Sequence, residues 1–375
     1  MSLTKGELQH YSRHLLLEEV GKTGQDKLKS SSVLVIGSGG LGCPAALYLA
    51  AAGVGKLGII DFDTVDISNL QRQIAFSYAD VGKPKVEQLK ERLQGINPHI
   101  EVVIFSERFG IENAEKLFTE FDVVVDGCDN FGTRYLSNDT AYFTKTPLVF
   151  GAIHRFQGQM SVFNSNKKSP CYRCLFPEPP DAGSIPNCAE AGVIGVLPGV
   201  VGSIQATEAI KVLLDLGETL DGRFMTYDAM TMRFNEFKLS KNSLCPLCGE
   251  NPKIAGIEEA ELLCPSKKVK DNDISPSELF EEMKSNKELY LLDVREECEW
   301  DICKLPDSNQ IPLRMIEEVA SMLPKDKDIV VYCHHGLRSS QAVEMIKKSG
   351  HKSVRNLSGG INQWAREVDN DMAQY

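Results

Sequence analysis

The chain is short of positive charge, of long apolar runs and of repeats. Lysine and arginine total 41 against 52 acidic residues, a net charge of −11, and so acidic a surface argues against nucleic acid as a partner. The longest apolar stretches, residues 43–55 and 192–204, are too short and too interrupted by glycine to cross a bilayer, which takes about 20 apolar residues. No membrane association is expected. The opening Met-Ser-Leu-Thr-Lys-Gly-Glu lacks the basic and apolar regions of a secretory signal, so a cytoplasmic location is expected. With 17 prolines and 30 glycines in 375 residues, collagen-like and low-complexity classes fall away.

What is present is an ordinary globular composition, 42% hydrophobic and 25% charged. At roughly 150 residues per domain this length predicts two domains and a linker. The 11 cysteines are odd in number and include two Cys-x-x-Cys pairs, which favours reduced thiols with metal or catalytic roles over disulfides.

Buried strands near 32–37, 57–61, 100–105 and 122–126 alternate with helices near 40–52, 83–95, 112–118 and 130–143. This alternation predicts an α/β fold, a Rossmann-like doubly wound parallel sheet covered on both faces. A capping box at Thr4–Glu7 opens an N-terminal helix carrying Leu8, Tyr11 and Leu15 on one side, with Arg13 projecting away. After a strand at 147–151 the pattern loosens into strands near 158–163 and 223–227 and a helix over 203–216. Residues 250–273 lack periodicity and carry charges and two prolines, as a linker does. Ser275-Pro-Ser-Glu278 then caps a new helix, opening a smaller α/β domain at 274–375.

Gly37-Ser-Gly39-Gly40-Leu-Gly42 follows a strand and opens a helix, and Asp61 ends the next strand. That is a nucleotide-binding fingerprint: glycines admit phosphate to the backbone, the helix N-terminus favours its charge, and the acid accepts ribose hydroxyls. The fingerprint alone leaves a dinucleotide and ATP both open. Arg72, Lys83 and Lys85 fall in loops on the ligand edge of the sheet, and several cations around one phosphate site suit a triphosphate and its pyrophosphate leaving group better. Asp129, just after the strand ending at Asp126, is placed to hold Mg²⁺, while Asp126 could instead be a structural acceptor.

Cys171-Tyr-Arg-Cys174 and Cys245-Pro-Leu-Cys248 supply four thiolates in two knuckles, a donor set for structural zinc that ties distant segments together. Cys188, in a Gly- and Pro-containing loop, is a candidate nucleophile. Cys333 ends a strand and precedes a helix, with four residues between it and Arg338. Loop amides, the helix dipole and Arg338 would there stabilise a thiolate or persulfide, and the short loop favours sulfur over phosphate. His334 and His335 either tune its charge or shape the loop.

Residues 1–249, through Tyr11-Ser-Arg13, Gly37–Gly42, Asp61-Phe-Asp63, Asn69–Gln73, Gly82–Lys85, Asp129-Asn130 and both knuckles, resemble the ubiquitin-activating-like adenylyltransferases of the MoeB and ThiF kind. Residues 274–375 resemble a rhodanese domain through Leu292-Asp293-Val-Arg295-Glu, the Cys333 loop and Leu357-Ser-Gly-Gly-Ile-Asn-Gln-Trp364. The pairing is that of MoeZ-like fusions. One departure is Cys303-Lys-Leu-Pro-Asp-Ser308, where most rhodanese domains have Gly-His-Ile-x-Gly-Ala.

The resemblance implies adenylation, by ATP with Mg²⁺, of the C-terminal Gly-Gly carboxylate of a ubiquitin-like sulfur-carrier protein, then its conversion to a thiocarboxylate. Nucleotide contacts would come from Gly37, Gly39, Gly40, Gly42, Asp61, Asp63, Asn69, Arg72, Lys85, Asp129 and Asn130, with Arg13 reaching in from the second protomer of a homodimer. Zn²⁺ would sit on Cys171, Cys174, Cys245 and Cys248. Cys333 would carry a persulfide loaded from thiosulfate or a persulfide donor, a cysteine desulfurase being one source, and Cys188 would resolve the acyl disulfide or accept the acyl group. Molybdopterin, thiamine, cysteine and transfer-RNA thiolation carriers would leave the same marks. A nicotinamide-dependent oxidoreductase would account for the glycine turn and Asp61 but leave Arg13, Arg72, Lys85 and Asp129 unused, and a non-enzymatic scaffold would account for none of them.

Overall fold

β1 (Ser32–Ile36) carries, after Ser32, four apolar residues whose side chains alternate between two cores. Val33 and Val35 enter one and Leu34 and Ile36 the other, all within 2% of full burial. Such a strand has no solvent face, as expected at the centre of a parallel sheet. In this computed structural model, residues 3–180, 192–257, 272–285 and 288–375 are described. They form two compact units, 3–180 with 192–257, and 272–285 with 288–375.

In the first unit β2 (Lys56–Ile60), β3 (Glu101–Phe105), β4 (Val123–Asp126), β5 (Leu148–His154), β6 (Gln157–Phe163), β7 (Arg223–Asp228) and β8 (Arg233–Lys238) join β1 in an eight-stranded sheet ordered 3-2-1-4-5-6-7-8. The first five pair in parallel and the last three antiparallel, so the doubly wound half continues into a meander. The helices Gly42–Ala52, Lys85–Ile96 and Leu197–Leu214 contribute to one core, and Ile111–Thr119 and Phe131–Thr144 to the other.

Three readings change. The N-terminal helix breaks at Tyr11 into Lys5–His10 and Ser12–Leu15, and Leu8 is 41% exposed rather than packed. Tyr11 is fixed instead: it is buried and its hydroxyl accepts from Asn97 Nδ2 at 2.8 Å. The helix expected over 203–216 begins at Leu197, because Pro198 sits in the first turn, where no amide is needed. At 18 residues it is long and apolar enough to cross a membrane by length and composition, against the sequence expectation, yet half of that window is buried. Gln205 Nε2 on this helix donates 2.7 Å to the Asp126 carbonyl, and its apolar residues join the same core as β1, so the helix is part of the interior. β8 was not legible: all six of its residues are exposed, which erases the alternation by which a strand is recognised.

In the second unit β9 (Asp273–Ile274), β10 (Leu289–Asp293), β11 (Asn309–Gln310), β12 (Asp328–Tyr332) and β13 (Val354–Leu357) form an all-parallel sheet ordered 11-10-12-13-9. The Ser275 capping box is present, with Glu278 N donating to Ser275 Oγ at 3.2 Å. β12 is central and fully buried after its first residue, so its carboxyl end delivers Cys333 at mid-sheet.

Candidate functional site

β1 lies between β2 and β4, where the chain reverses its direction of travel across the sheet, and the loops after all three open on one edge. Ligands of open α/β sheets bind at such a crevice. Gly37 turns the chain with φ +86°, and the helix Gly42–Ala52 starts five residues later. Gly42 cannot be replaced without movement, since a Cβ there would stand 1.8 Å from the Gly37 carbonyl oxygen. Among the described residues none accepts from the amides of Gly39, Gly40, Leu41 or Gly42, which leaves a row of donors at a helix N-terminus, suited to an anion.

Asp61, half-buried at the end of β2, is fastened to this turn. One carboxylate oxygen accepts from Ser38 N at 2.7 Å and Ser38 Oγ at 2.8 Å, and the other from Asp63 N at 2.8 Å. Asp63, half exposed, pairs with Lys85 Nζ at 3.0 Å, so this cation, itself buried, faces a carboxylate. Arg72 Nη1 donates to Ser68 O at 3.0 Å, and its Cγ would lie 3.6 Å from a Cβ at Gly40. Asn69 is buried and its Oδ1 accepts from Asp66 N at 3.2 Å, shaping the loop that carries Arg72. Asp129 is exposed, and beside it Asn130 Oδ1 caps the helix Phe131–Thr144 by accepting from Thr133 N at 2.9 Å. Arg13 is exposed on the short helix Ser12–Leu15, and none of its described contacts is with these groups.

Two neighbours escaped the sequence reading. Ser38 bridges turn and acid; its only signal was being the one hydroxyl inside the glycine run. Gln73 is buried, with Oε1 unpartnered and Nε2 3.8 Å from a Cβ built at Gly39. Asp126 is the structural acceptor considered for it: it is wholly buried, and Oδ1 takes the Cys128 amide at 3.0 Å. Burial raises its carboxyl from the ordinary range, with the Arg134 charge opposing.

Across the unit, Cys171 and Cys174 flank the start of the short helix Tyr172–Leu175, and Cys245 and Cys248 lie in the segment after β8. All four are buried, with their sulfurs within 4.8 Å of one another. Measured pairs span 3.3 Å (Cys174 to Cys248) to 3.9 Å (Cys171 to Cys174). Tetrahedral zinc with bonds of about 2.3 Å requires sulfurs about 3.8 Å apart, so the donor set fits. The amides of Asn242 and Cys248 point at Cys174 and Cys245 Sγ from 3.3 and 3.5 Å, as donors that favour thiolates. Beside the cluster the buried Arg173 and Asp139 pair at 2.7 Å, anchoring the first knuckle on the helix Phe131–Thr144.

In the second unit Cys333 is fully buried, and its sulfur accepts from Gly336 N at 3.1 Å and Ser339 Oγ at 3.3 Å. The loop rests on a second turn: Ile361 N and Asn362 N donate to the Cys333 and His334 carbonyls at 2.9 and 3.1 Å. Gly360, at φ +63°, allows that contact, since a Cβ there would lie 2.3 Å from both carbonyl oxygens. This explains the Ser-Gly-Gly run near the chain's end.

Arg338 does not turn to the sulfur as expected. It forms a two-pronged pair with Glu299, Nη1 to Oε2 at 2.7 Å and Nη2 to Oε1 at 2.8 Å, because Glu299 is a buried carboxylate that needs a cation. His334 shapes the loop: it is buried and stacked 4.2 Å from the Tyr375 ring, and burial, followed by the neighbouring His335, lowers its imidazole to about 3. Cys188 lies outside the described residues.

Residues 11–247 match the ThiF family and residues 275–367 the rhodanese-like domain. Over its whole length the chain is 42% identical to the probable adenylyltransferase/sulfurtransferase MoeZ of Mycobacterium tuberculosis, covering 97% of that protein. Over 70% of its length it is 47% identical to the sulfur carrier protein adenylyltransferase of Thermus thermophilus, covering 99% of it. Among solved structures, E. coli MccB with ATP shares the fold at a TM-score of 0.55 and 24% identity, over 66% of this chain and 75% of that one. The chain belongs to the ThiF family and carries a rhodanese-like domain after its nucleotide-binding half.

Proposed function

We propose that this protein is an adenylyltransferase and sulfurtransferase: it adenylates the C-terminal Gly-Gly carboxylate of a ubiquitin-like sulfur carrier and then supplies sulfur from Cys333. The observation that carries the reading is the row of amides from Gly39 to Gly42, without acceptors among the described residues, on the same sheet edge as Asp61, Arg72, Lys85 and Asp129. The names borne by two relatives, one aligned over the whole chain and the other over 70% of it, support it.

The carrier carboxylate attacks the α-phosphorus of ATP and expels pyrophosphate. Amides 39–42, Arg72 and Lys85 meet the phosphates, Asp61 the ribose, and Asp129 holds Mg²⁺, which offsets phosphate charge when bound. Asp63, Asn69 and Asn130 shape the surrounding loops. Because no side chain has to take a proton from the carboxylate, positioning and charge do the catalysis. Lys85 must then exchange Asp63 for phosphate, which its four-carbon stem permits. A persulfide on Cys333 attacks the acyl-adenylate through its outer sulfur and releases AMP. Cys188 cleaves the resulting acyl disulfide, freeing the thiocarboxylate and leaving a Cys188–Cys333 disulfide for an external thiol to reduce. Arg13 acts from the second protomer of a homodimer, residues 250–273 link the two catalytic parts, and the four cysteines hold structural Zn²⁺.

The test is carrier-dependent ATP–pyrophosphate exchange over a panel of small ubiquitin-like proteins ending in Gly-Gly, with Asp129→Ala as control. Exchange with one carrier, lost in the control, is the expected result and names the pathway. Exchange undiminished in Asp129→Ala removes that residue from the mechanism. Silence with every carrier, despite bound ATP, leaves either a carrier outside the panel or a scaffold.

A further inference from the structure

One side chain distant in sequence touches the sulfur-bearing loop at its first end and bonds the carboxylate that holds its other end. At the first end, His334 adjoins Cys333, and its ring lies flat against Tyr375 with centroids 4.2 Å apart and planes 4° from parallel. His335 packs on His334 at 4.0 Å. Neither ring nitrogen of His334 has a hydrogen-bond partner among the described residues, so stacking is what holds this side chain. At the other end, Arg338 is held by Glu299, and the Tyr375 hydroxyl donates to Glu299 Oε1 at 2.9 Å. The same hydroxyl accepts from Arg295 Nη1 at 2.6 Å.

These partners are themselves buried and each held by several hydrogen bonds. The Arg295 guanidinium is fully buried, bonded to Asp293 through Nε and Nη2 at 2.9 and 2.6 Å and to the Cys303 carbonyl at 2.7 Å. Glu299, 5% exposed, also takes the Glu296 amide at 2.9 Å. Tyr375 therefore joins a buried hydrogen-bonded network to a loop whose donors converge on one sulfur. Without it, the face of His334 is uncovered, and two buried charged groups each lose a partner.

We propose that Tyr375 is a positioning residue for sulfur transfer: by stacking on His334 and bonding Glu299 and Arg295, it clamps the loop in the conformation that points Gly336 N and Ser339 Oγ at Cys333. The inference rests on the reading of Cys333 as sulfur carrier. The relevant half-reactions are simple. The Cys333 thiolate attacks the outer sulfur of thiosulfate, the sulfur–sulfur bond breaks and sulfite leaves with the electron pair. Cyanide then takes the outer sulfur as thiocyanate and restores the thiolate.

The experiment uses the full chain with thiosulfate and cyanide, comparing Tyr375→Ala, Tyr375→Phe and Cys333→Ser. It measures kcat and KM, the pH dependence of Cys333 alkylation by iodoacetamide, and ATP–pyrophosphate exchange as an index of the intact first unit. Tyr375→Ala is expected to lower kcat by roughly tenfold to a hundredfold, the range that misplacement by about 1 Å commands. It should also alter the pH profile of Cys333 alkylation, because the donors no longer converge on the sulfur. Tyr375→Phe, which keeps the stack and loses the hydroxyl, should recover part of the loss, and exchange should be unchanged in both. Wild-type kcat and alkylation profile in Tyr375→Ala overturn the proposal, as does a loss matched in ATP–pyrophosphate exchange. Sulfur transfer surviving in Cys333→Ser sinks instead the reading on which it rests.

Discussion

Gly42→Ala places the reasoning about the nucleotide turn at its greatest risk. The added Cβ would stand 1.8 Å from the Gly37 carbonyl oxygen, where carbon and oxygen ordinarily stay more than 3 Å apart, so turn and helix must separate by about 1 Å. Two effects on stability oppose each other. Overpacking of this kind costs about 1–3 kcal/mol, while alanine in place of glycine in a helix returns up to about 1 kcal/mol. The net loss is therefore about 0–3 kcal/mol, which a folded domain survives. Function should suffer far more, since displacing the row of amides by about 1 Å can cost on the order of a hundredfold. Gly95→Ala is the matched control: it lies in the helix Lys85–Ile96, and its Cβ would meet nothing within 4 Å. Urea unfolding and ATP–pyrophosphate exchange, run together, should find Gly95→Ala fully active and as stable or more so. Gly42→Ala should be folded but nearly inactive. Exchange within twofold of wild type in Gly42→Ala would refute the claim that this turn cradles the phosphates.

Metal analysis is expected to find one zinc per chain, lost together with thermal stability in Cys248→Ala; full zinc in that variant would place the ligands elsewhere. A second prediction concerns acid. Burial tends to raise the Glu7 carboxyl, but hydrogen bonds from Lys29 and Thr4 prevail and hold it at about 2, below its ordinary 4.5. A carboxylate with a depressed folded value gives stability that is present above pH 4.5 and fades as pH falls toward 2. Urea midpoints measured across that window should fall less steeply in Glu7→Gln; parallel curves would exclude Glu7 as a source of acid sensitivity.

Much of this arrangement was legible because it is local. The glycine turn, Asp61 and the capping boxes at Thr4 and Ser275 are each set by a few adjacent residues, and β1 and β4 announce themselves as uninterrupted apolar runs. The two knuckles were legible for another reason, since four thiols in matched pairs leave few other chemistries. What failed depended on residues far apart in the chain. Arg338 was read by its distance from Cys333, whereas Glu299, 39 residues upstream, determines where it points. Tyr375 reaches Glu299 from 76 residues away and belongs to no motif. The start of the helix Leu197–Leu214 was hidden by Pro198 and Gly199, which read as a loop unless their place in a first turn is known.

The cysteine cluster bears on the order in which the protein assembles. Cys174 and Cys248 meet across 74 residues of chain, a stretch that includes β7, β8 and the helix Leu197–Leu214. Contacts of such long sequence separation are entropically unfavourable to close early and form after the folding barrier is crossed. An ion bound there acts on the finished structure, so its removal should quicken unfolding while leaving the refolding rate almost untouched. A staple there would set how long the first unit persists once made, rather than how fast it is made.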